Sequence, residues 1–204
     1  HFGDQIRGLD QLGWRIPPGD DDVLVARSMG QNVDHLGDID PTPFERVGEL
    51  VQHVEAVRLL LDPSGEHDTL INVQGDMPFA SPKLAQLCVE LMQEQPSCDI
   101  ATLVGLATPE EYANPDVVKA VLALDASGQK GRALYFTRSH LYGEGPTWHH
   151  VGIYGYRREA LNRFCAAEPS PLEKREKLEQ LRALEMGMQI WAAAIDAAPI
   201  SVDN

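Results

Sequence analysis

Gln74 and Asp76 stand at the end of an apolar run, Leu70-Ile71-Asn72-Val73-Gln74-Gly75-Asp76-Met77-Pro78, where Gly75 lets the backbone turn. In open α/β sheets, ligands bind at the carboxyl ends of the strands. An Asp placed there suits a hard cation such as Mg²⁺, which takes oxygen ligands and usually only one or two carboxylates. A plain strand-to-loop turn, with Asp76 capping the next segment, also fits the local pattern. Asp203 follows Ile200-Ser201-Val202 and would likewise end a strand, although an acidic residue near a terminus is ordinarily solvated. A third group lies in His149-His150-Val151-Gly152-Ile153-Tyr154-Gly155-Tyr156-Arg157. Period two puts His150, Gly152, Tyr154 and Tyr156 on one face. A Gly between His and Tyr leaves room for a ligand, while two Tyr also suit a half-exposed packing face. The run Glu173 to Arg182 is dense in charge and reads as a solvated helix face with i,i+3 and i,i+4 pairs. H-x-x-x-H, G-x-S-x-G, Walker and G-x-G-x-x-G patterns are absent, so generic motifs stop short of a reaction.

Regular elements must position these groups. Residues 1–40 are rich in Gly, Pro and Asp, and only Val23-Leu24-Val25-Ala26 reads as a strand. Thr42, Pro43 and Glu45 form a capping box that opens a helix running to about Leu61, with Val47, Leu50, Val51, Val54, Val57 and Leu61 on its buried stripe. Thr69 to Val73 is a buried strand. Ser81-Pro82 caps a second helix with Leu84, Leu87, Cys88 and Leu91 on one face, and Asp99 to Val104 is the next strand. This is the rhythm of a parallel sheet covered by helices. The rhythm then changes, because Val117–Leu124 and Arg132–Phe136 are strands joined by the turn-rich Asp125 to Gly131, an antiparallel connection. His149–Arg157 is a strand, Arg158–Ala167 a short helix, Pro171–Met186 a longer helix stopped by Gly187, and Met188–Ile195 the last clear strand. The fold class expected is α/β with a mixed, mostly parallel sheet, helices on both faces and a small antiparallel excursion. All 204 residues read as one domain.

Composition narrows the partners. With 17 basic and 31 acidic residues the net charge is −14, which repels nucleic acid and anionic lipid surfaces. No run approaches the ~20 apolar residues of a membrane-spanning helix. A small anionic substrate stays possible, since a few donors or one bound cation reverse the sign inside a cleft. The three cysteines, Cys88, Cys98 and Cys165, are odd in number and unsuited to a disulfide framework or zinc knuckle, which favours a reducing compartment.

Several stretches together resemble the 3-deoxy-manno-octulosonate cytidylyltransferase (CMP-Kdo synthetase) family. They are Leu70 to Pro78, Asn114-Pro115 with Val118-Lys119, Ala133-Leu134-Tyr135-Phe136-Thr137-Arg138, His150 to Arg157, Pro169-Ser170-Pro171-Leu172-Glu173 with Leu178-Glu179-Gln180-Leu181-Arg182, and Val202-Asp203. The resemblance implies a Rossmann-like nucleotidyltransferase that joins CTP to the sugar acid Kdo, releasing pyrophosphate, for lipopolysaccharide synthesis. It further implies a cytoplasmic, magnesium-dependent homodimer, with residues 114–157 as a sugar-binding and dimerisation excursion. Carried over by position, Asp76 and Asp203 would be the catalytic magnesium ligands, their side chains within about 7 Å of each other. Gln74, His150, Tyr154, Glu179 and Gln180 would line the sugar-acid pocket, with Arg138 as a further contact.

The departures are as informative. The family opens with a strand and a phosphate-wrapping loop rich in Ala, Arg, Ser, Gly and Lys, which residues 1–30 do not resemble. Its His-x-Ser-Gly-Thr stretch before an Arg helix has only Thr42 and Arg46 as approximate nucleotide-binding matches. Asn204 stands where the family has Thr. The chain therefore reads as a fragment, expected to bind a Kdo-like acid without turning over CTP. A diverged, non-catalytic homologue that binds a sugar acid or serves as an interaction partner is the alternative. The retained polar groups favour the enzyme, the altered nucleotide segment favours the alternative, and the Kdo-like motifs make sialic acid the poorer substrate.

Overall fold

The computed structural model describes residues 65, 67–74, 77 and 80–196, together with the backbone of 23–27. In chain order the elements are β1 (Val23–Arg27), β2 (Thr69–Val73), α1 (Pro82–Glu94), β3 (Ile100–Leu106), α2 (Pro109–Tyr112), β4 (Lys119–Leu124), β5 (Lys130–Thr137), β6 (Trp148–Arg157), α3 (Arg158–Cys165), α4 (Pro171–Glu176), α5 (Gln180–Glu185) and β7 (Ile190–Ile195). The expected helix over 42–61 lies outside the described residues.

Local chemistry starts these elements where the sequence suggests. The Ser81 hydroxyl accepts the Lys83 N–H at 3.4 Å, and Pro82 occupies the first turn of α1, where no backbone donor is lost. The buried face of α1 is Ala85, Cys88, Val89, Leu91 and Met92, with Leu84 and Leu87 half-buried at its margin. The β4–β5 hairpin closes through Asp125, whose carboxylate accepts from the Ser127 N–H at 3.1 Å and hydroxyl at 2.6 Å, while Gly128 takes the positive φ of 70° that the turn needs.

The strands form one sheet in the order β1-β2-β6-β3-β7-β5-β4, and β4 also pairs with the start of β6. The sheet is mixed, as expected, but its pairing is not mostly parallel. Among the described residues only β1–β2 and β3–β7 pair in parallel; β2–β6, β3–β6, β4–β5, β4–β6 and β5–β7 are antiparallel. The reason is topological. After the hairpin, β6 runs back through the sheet and inserts between β2 and β3, so the crossover pair joined by α1 never touches as neighbours. Its fit to β3 is broken by a bulge: Thr102 faces Tyr154, yet Leu103 faces Val151. Bulges re-aim side chains next to functional sites.

Period two sorts the core onto the two sides of this sheet. Leu70, Ile100, Val104, Tyr154, Tyr156 and Ile190 pack with Leu161 and Phe164 of α3 and Leu181 of α5. Ile71, Val73, Ala101, Leu103, Val151 and Ile153 pack with Ala85, Cys88, Leu91 and Met92 of α1. Helices thus cover both faces, and each large apolar side chain so buried contributes ~1.5–3 kcal/mol.

The expected long helix from Pro171 to Met186 is instead two short ones. Lys177 adopts φ 55°, ψ 47° and turns the chain. In an unbroken helix Glu173 and Arg182, nine residues apart, would point to opposite sides. With the break, Arg182 Nε donates to Glu173 Oε2 at 2.7 Å and its Nη2 to Oε1, both residues being buried. The solvated-face reading of this charged run therefore does not hold for Glu173 and Arg182, which are a buried, bidentate ion pair. Gly187, with φ 78°, closes α5 as expected.

Candidate active site

The polar face of β6 forms the spine of the site. The rings of His150 and Tyr154 lie 5.3 Å apart, those of Tyr154 and Tyr156 stack at 5.9 Å, and Phe136 of β5 meets His150 edge-on at 5.0 Å. Such spacings add attraction beyond simple area burial. The face that period two predicts is therefore real. Between His150 and Tyr154 stands Gly152, and the space above it is taken by Gln74: a Cβ added at Gly152 would come within 1.7 Å of Gln74 Oε1. The backbone holds the same pair together, since the Gln74 N–H donates to the Gly152 carbonyl at 3.3 Å. The room left by glycine accommodates a protein carboxamide.

Electrostatics define what each group can do. Burial, and secondarily the neighbouring His149, push the His150 imidazole down to about 3, so it is neutral at ordinary pH. Burial and then the Glu179 carboxylate raise the Tyr154 phenol; Tyr156 is raised by burial, Tyr154 and Glu179. The carboxylate at the amino end of α5 thus acts directly on the β6 tyrosines, and Gln180 is buried beside it. Gln74, His150, Tyr154 and Glu179 are brought to one face from three separate segments. A neutral imidazole, an amide, a phenol and a carboxylate make a set rich in hydrogen-bond acceptors, suited to a ligand bearing several hydroxyls.

Arg138 follows β5 two residues after Phe136 and is held by backbone carbonyls. Its guanidinium donates to the carbonyls of Pro115 at 3.1 Å and Asp116 at 3.4 Å, while the buried Lys119 ammonium donates to the carbonyls of Asn114 and, at 3.1 Å, Arg138. The two cations hold the turn before β4 against the end of β5. Asp76, Asp203, Thr42 and Arg46 lie outside the described residues. Among the described residues no three His, Cys, Asp or Glu side chains gather in a way that could hold a metal ion, and no helix is long and apolar enough to cross a membrane.

Two polar residues of this region escape sequence reading. Thr102 of β3 is fully buried, its hydroxyl 3.0 Å from His150 Nε2. Asn72 of β2 is also buried, and neither atom of its carboxamide has a hydrogen-bond partner among the described residues. A buried polar group left so costs ~1–3 kcal/mol. The available signal was its position: an Asn inside an apolar strand, two residues before Gln74 and on the same face.

Known proteins share features with this chain at the level of family, sequence and structure. The model of the Cytidylyltransferase family matches residues 50–190. The chain is 50% identical over 166 residues to the 3-deoxy-manno-octulosonate cytidylyltransferase of Parvibaculum lavamentivorans, covering 80% of this chain and 61% of that one. It is 48% identical over 166 residues to the protein of the same name from Rhodospirillum centenum, covering 80% and 62%. The chain thus spans about three fifths of the length of these relatives. Among solved structures, a CMP:2-keto-3-deoxy-manno-octonic acid synthetase complexed with CTP superposes with a TM-score of 0.70 at 26% identity, covering 98% of this chain and 82% of that one. A UDP-glucose pyrophosphorylase complexed with UDP-glucose gives 0.51 at 12% identity, covering 72% and 54%, a likeness of fold alone.

Proposed function

The chain belongs to the cytidylyltransferase family, and from that premise we propose that it carries the sugar-acid side of an enzyme transferring CMP from CTP to Kdo or a closely related acid for lipopolysaccharide synthesis. The observation that carries this reading is the convergence of Gln74, His150, Tyr154 and Glu179 on one face, in a chain half identical to relatives named for that reaction. In the reaction the anomeric hydroxyl of the sugar attacks the α-phosphorus of CTP in line. A new sugar O–P bond forms, the bond to the β-phosphate breaks, the hydroxyl proton is lost and pyrophosphate leaves. No protein nucleophile is needed. The acceptor-rich face orients the sugar hydroxyls, and Tyr154, held protonated by burial and Glu179, is a donor as well as an acceptor.

Asp76 and Asp203 offer hard oxygen donors of the kind Mg²⁺ takes, and we assign them to it. When bound, the ion stabilises charge growing on the phosphate oxygens. Thr42 and Arg46 are assigned to the nucleotide. Arg138 is assigned an indirect part, through the turn that it fixes. A cytoplasmic homodimer completes the reading, supported on the 114–157 segment by the exposed apolar side chains Leu124, Leu134 and Tyr142.

The test is pyrophosphate release from CTP with Mg²⁺ and Kdo. It compares this chain with a version extended at its amino terminus by the leading segment of the Parvibaculum lavamentivorans relative. Release by the extended form that requires Kdo supports the assignment. Kdo-independent release, or none by either form, contradicts it.

A further inference from the structure

Thr102 has one hydroxyl proton and three partners. Its Oγ1 lies 2.9 Å from the Ile153 carbonyl, 3.2 Å from the Val151 carbonyl and 3.0 Å from His150 Nε2. Carbonyl oxygens only accept, so the proton goes to them, and Ile153 is the nearer. The third contact is then a hydrogen bond only if Nε2 carries a proton and donates it to Oγ1. Both carbonyls belong to the β6 bulge opposite Thr102, so a single hydroxyl ties the irregular backbone to the ring.

We propose, resting on the sugar-acid reading above, that Thr102 is a positioning residue: it fixes His150 in the Nε2–H tautomer, so that Nδ1 meets the substrate as a hydrogen-bond acceptor for a sugar hydroxyl. The ring's second nitrogen decides what the first can do, and a neutral imidazole makes the choice of tautomer a real one. Burial supplies that neutrality. His150 then binds a hydroxyl and contributes no positive charge toward the substrate carboxylate. Phe136 and Tyr154, packed at 5.0 and 5.3 Å, hold the ring plane, and Thr102 sets which edge bears the proton.

Long-range ¹H–¹⁵N correlation spectra of the protein, with the His150 signals identified by their loss in His150→Gln, read the tautomer directly and without substrate. Calorimetric titration with Kdo reads its consequence in wild type, Thr102→Ser and Thr102→Val. Wild type and Thr102→Ser should show the Nε2–H form and matching affinities. Thr102→Val should lose that form and bind Kdo about tenfold more weakly, the cost of one misdirected buried hydrogen bond. A wild type in the Nδ1–H form, or a Thr102→Val protein that keeps tautomer and affinity, would overturn the inference. An Nε2–H wild type that binds no Kdo would overturn the functional reading while supporting the tautomer assignment.

Discussion

His150 shows how much one side chain depends on its surroundings. Phe136 and Tyr154 bury the ring, Thr102 holds one edge, and the imidazole falls from its ordinary 6.5 to about 3. Between those values the unfolded chain binds a proton at this residue and the folded chain does not. The contribution of this residue to stability is therefore complete above pH 6.5 and is lost as pH falls toward 3. Urea unfolding across that window should show wild type losing stability more steeply than His150→Gln, by up to ~1.4 kcal/mol per pH unit, because all other titrating groups are shared. Parallel slopes would place the ring in a more open setting than the one described. At this scale the sequence revealed His150 and Tyr154 through period two, which is a property of the strand itself. Thr102 was hidden because Thr in Ile100 to Val104 reads as an ordinary β-branched strand former. Asn72 differs, since an Asn inside an apolar strand is itself a signal, but its apolar neighbours alone suffice to mark the strand.

Elements gain their roles from contacts distant in sequence. The cap of α1 and the β4–β5 turn were legible because Ser81-Pro82 and Asp125-Ala126-Ser127-Gly128 act on their own backbone. The antiparallel insertion of β6 was not, since nothing inside Trp148–Arg157 says which strands it will lie between. Nor was the break at Lys177, a non-glycine residue in the left-handed region, where tertiary contacts stabilise the turn: Glu173 pairs with Arg182, and the Glu185 carboxylate accepts from the Leu172 N–H at 3.0 Å. Two glycines separate structural from functional constraint. A Cβ at Gly131 would meet the Ala123 carbonyl oxygen at 2.7 Å and Leu124 Cα at 2.9 Å, backbone atoms that cannot move alone. Gly131→Ala should therefore cost ~1–3 kcal/mol in stability by opening the hairpin. The atom in the way at Gly152 is the far end of the Gln74 side chain. Gly152→Ala should leave the melting temperature nearly unchanged and weaken Kdo binding about tenfold by displacing that carboxamide. Thermal scans and calorimetry on the pair check both; a Gly152→Ala protein with unchanged affinity would remove Gln74 from the pocket.

Across the whole molecule, a net charge of −14 opposes the approach of anions, so the proposed reading of an anionic sugar and a triphosphate requires local donors and a bound cation. The α/β class was legible from the alternation of helices and strands, and the family from motifs spread between residues 68 and 203. The sheet order was not, because pairing is a property of the assembled chain. The described groups sort toward one half of the proposed reaction: under that reading β6, the end of β2 and the start of α5 would face the sugar. The claim that this face is a sugar-acid pocket is tested most directly by calorimetric titration of Kdo into wild type and His150→Ala, with melting temperatures recorded in parallel. We predict saturable binding by wild type that weakens about tenfold or more in His150→Ala, with a much smaller loss in thermal stability. Equal affinity in the two proteins, or no binding to wild type, would contradict the assignment and leave the polar face of β6 a matter of packing.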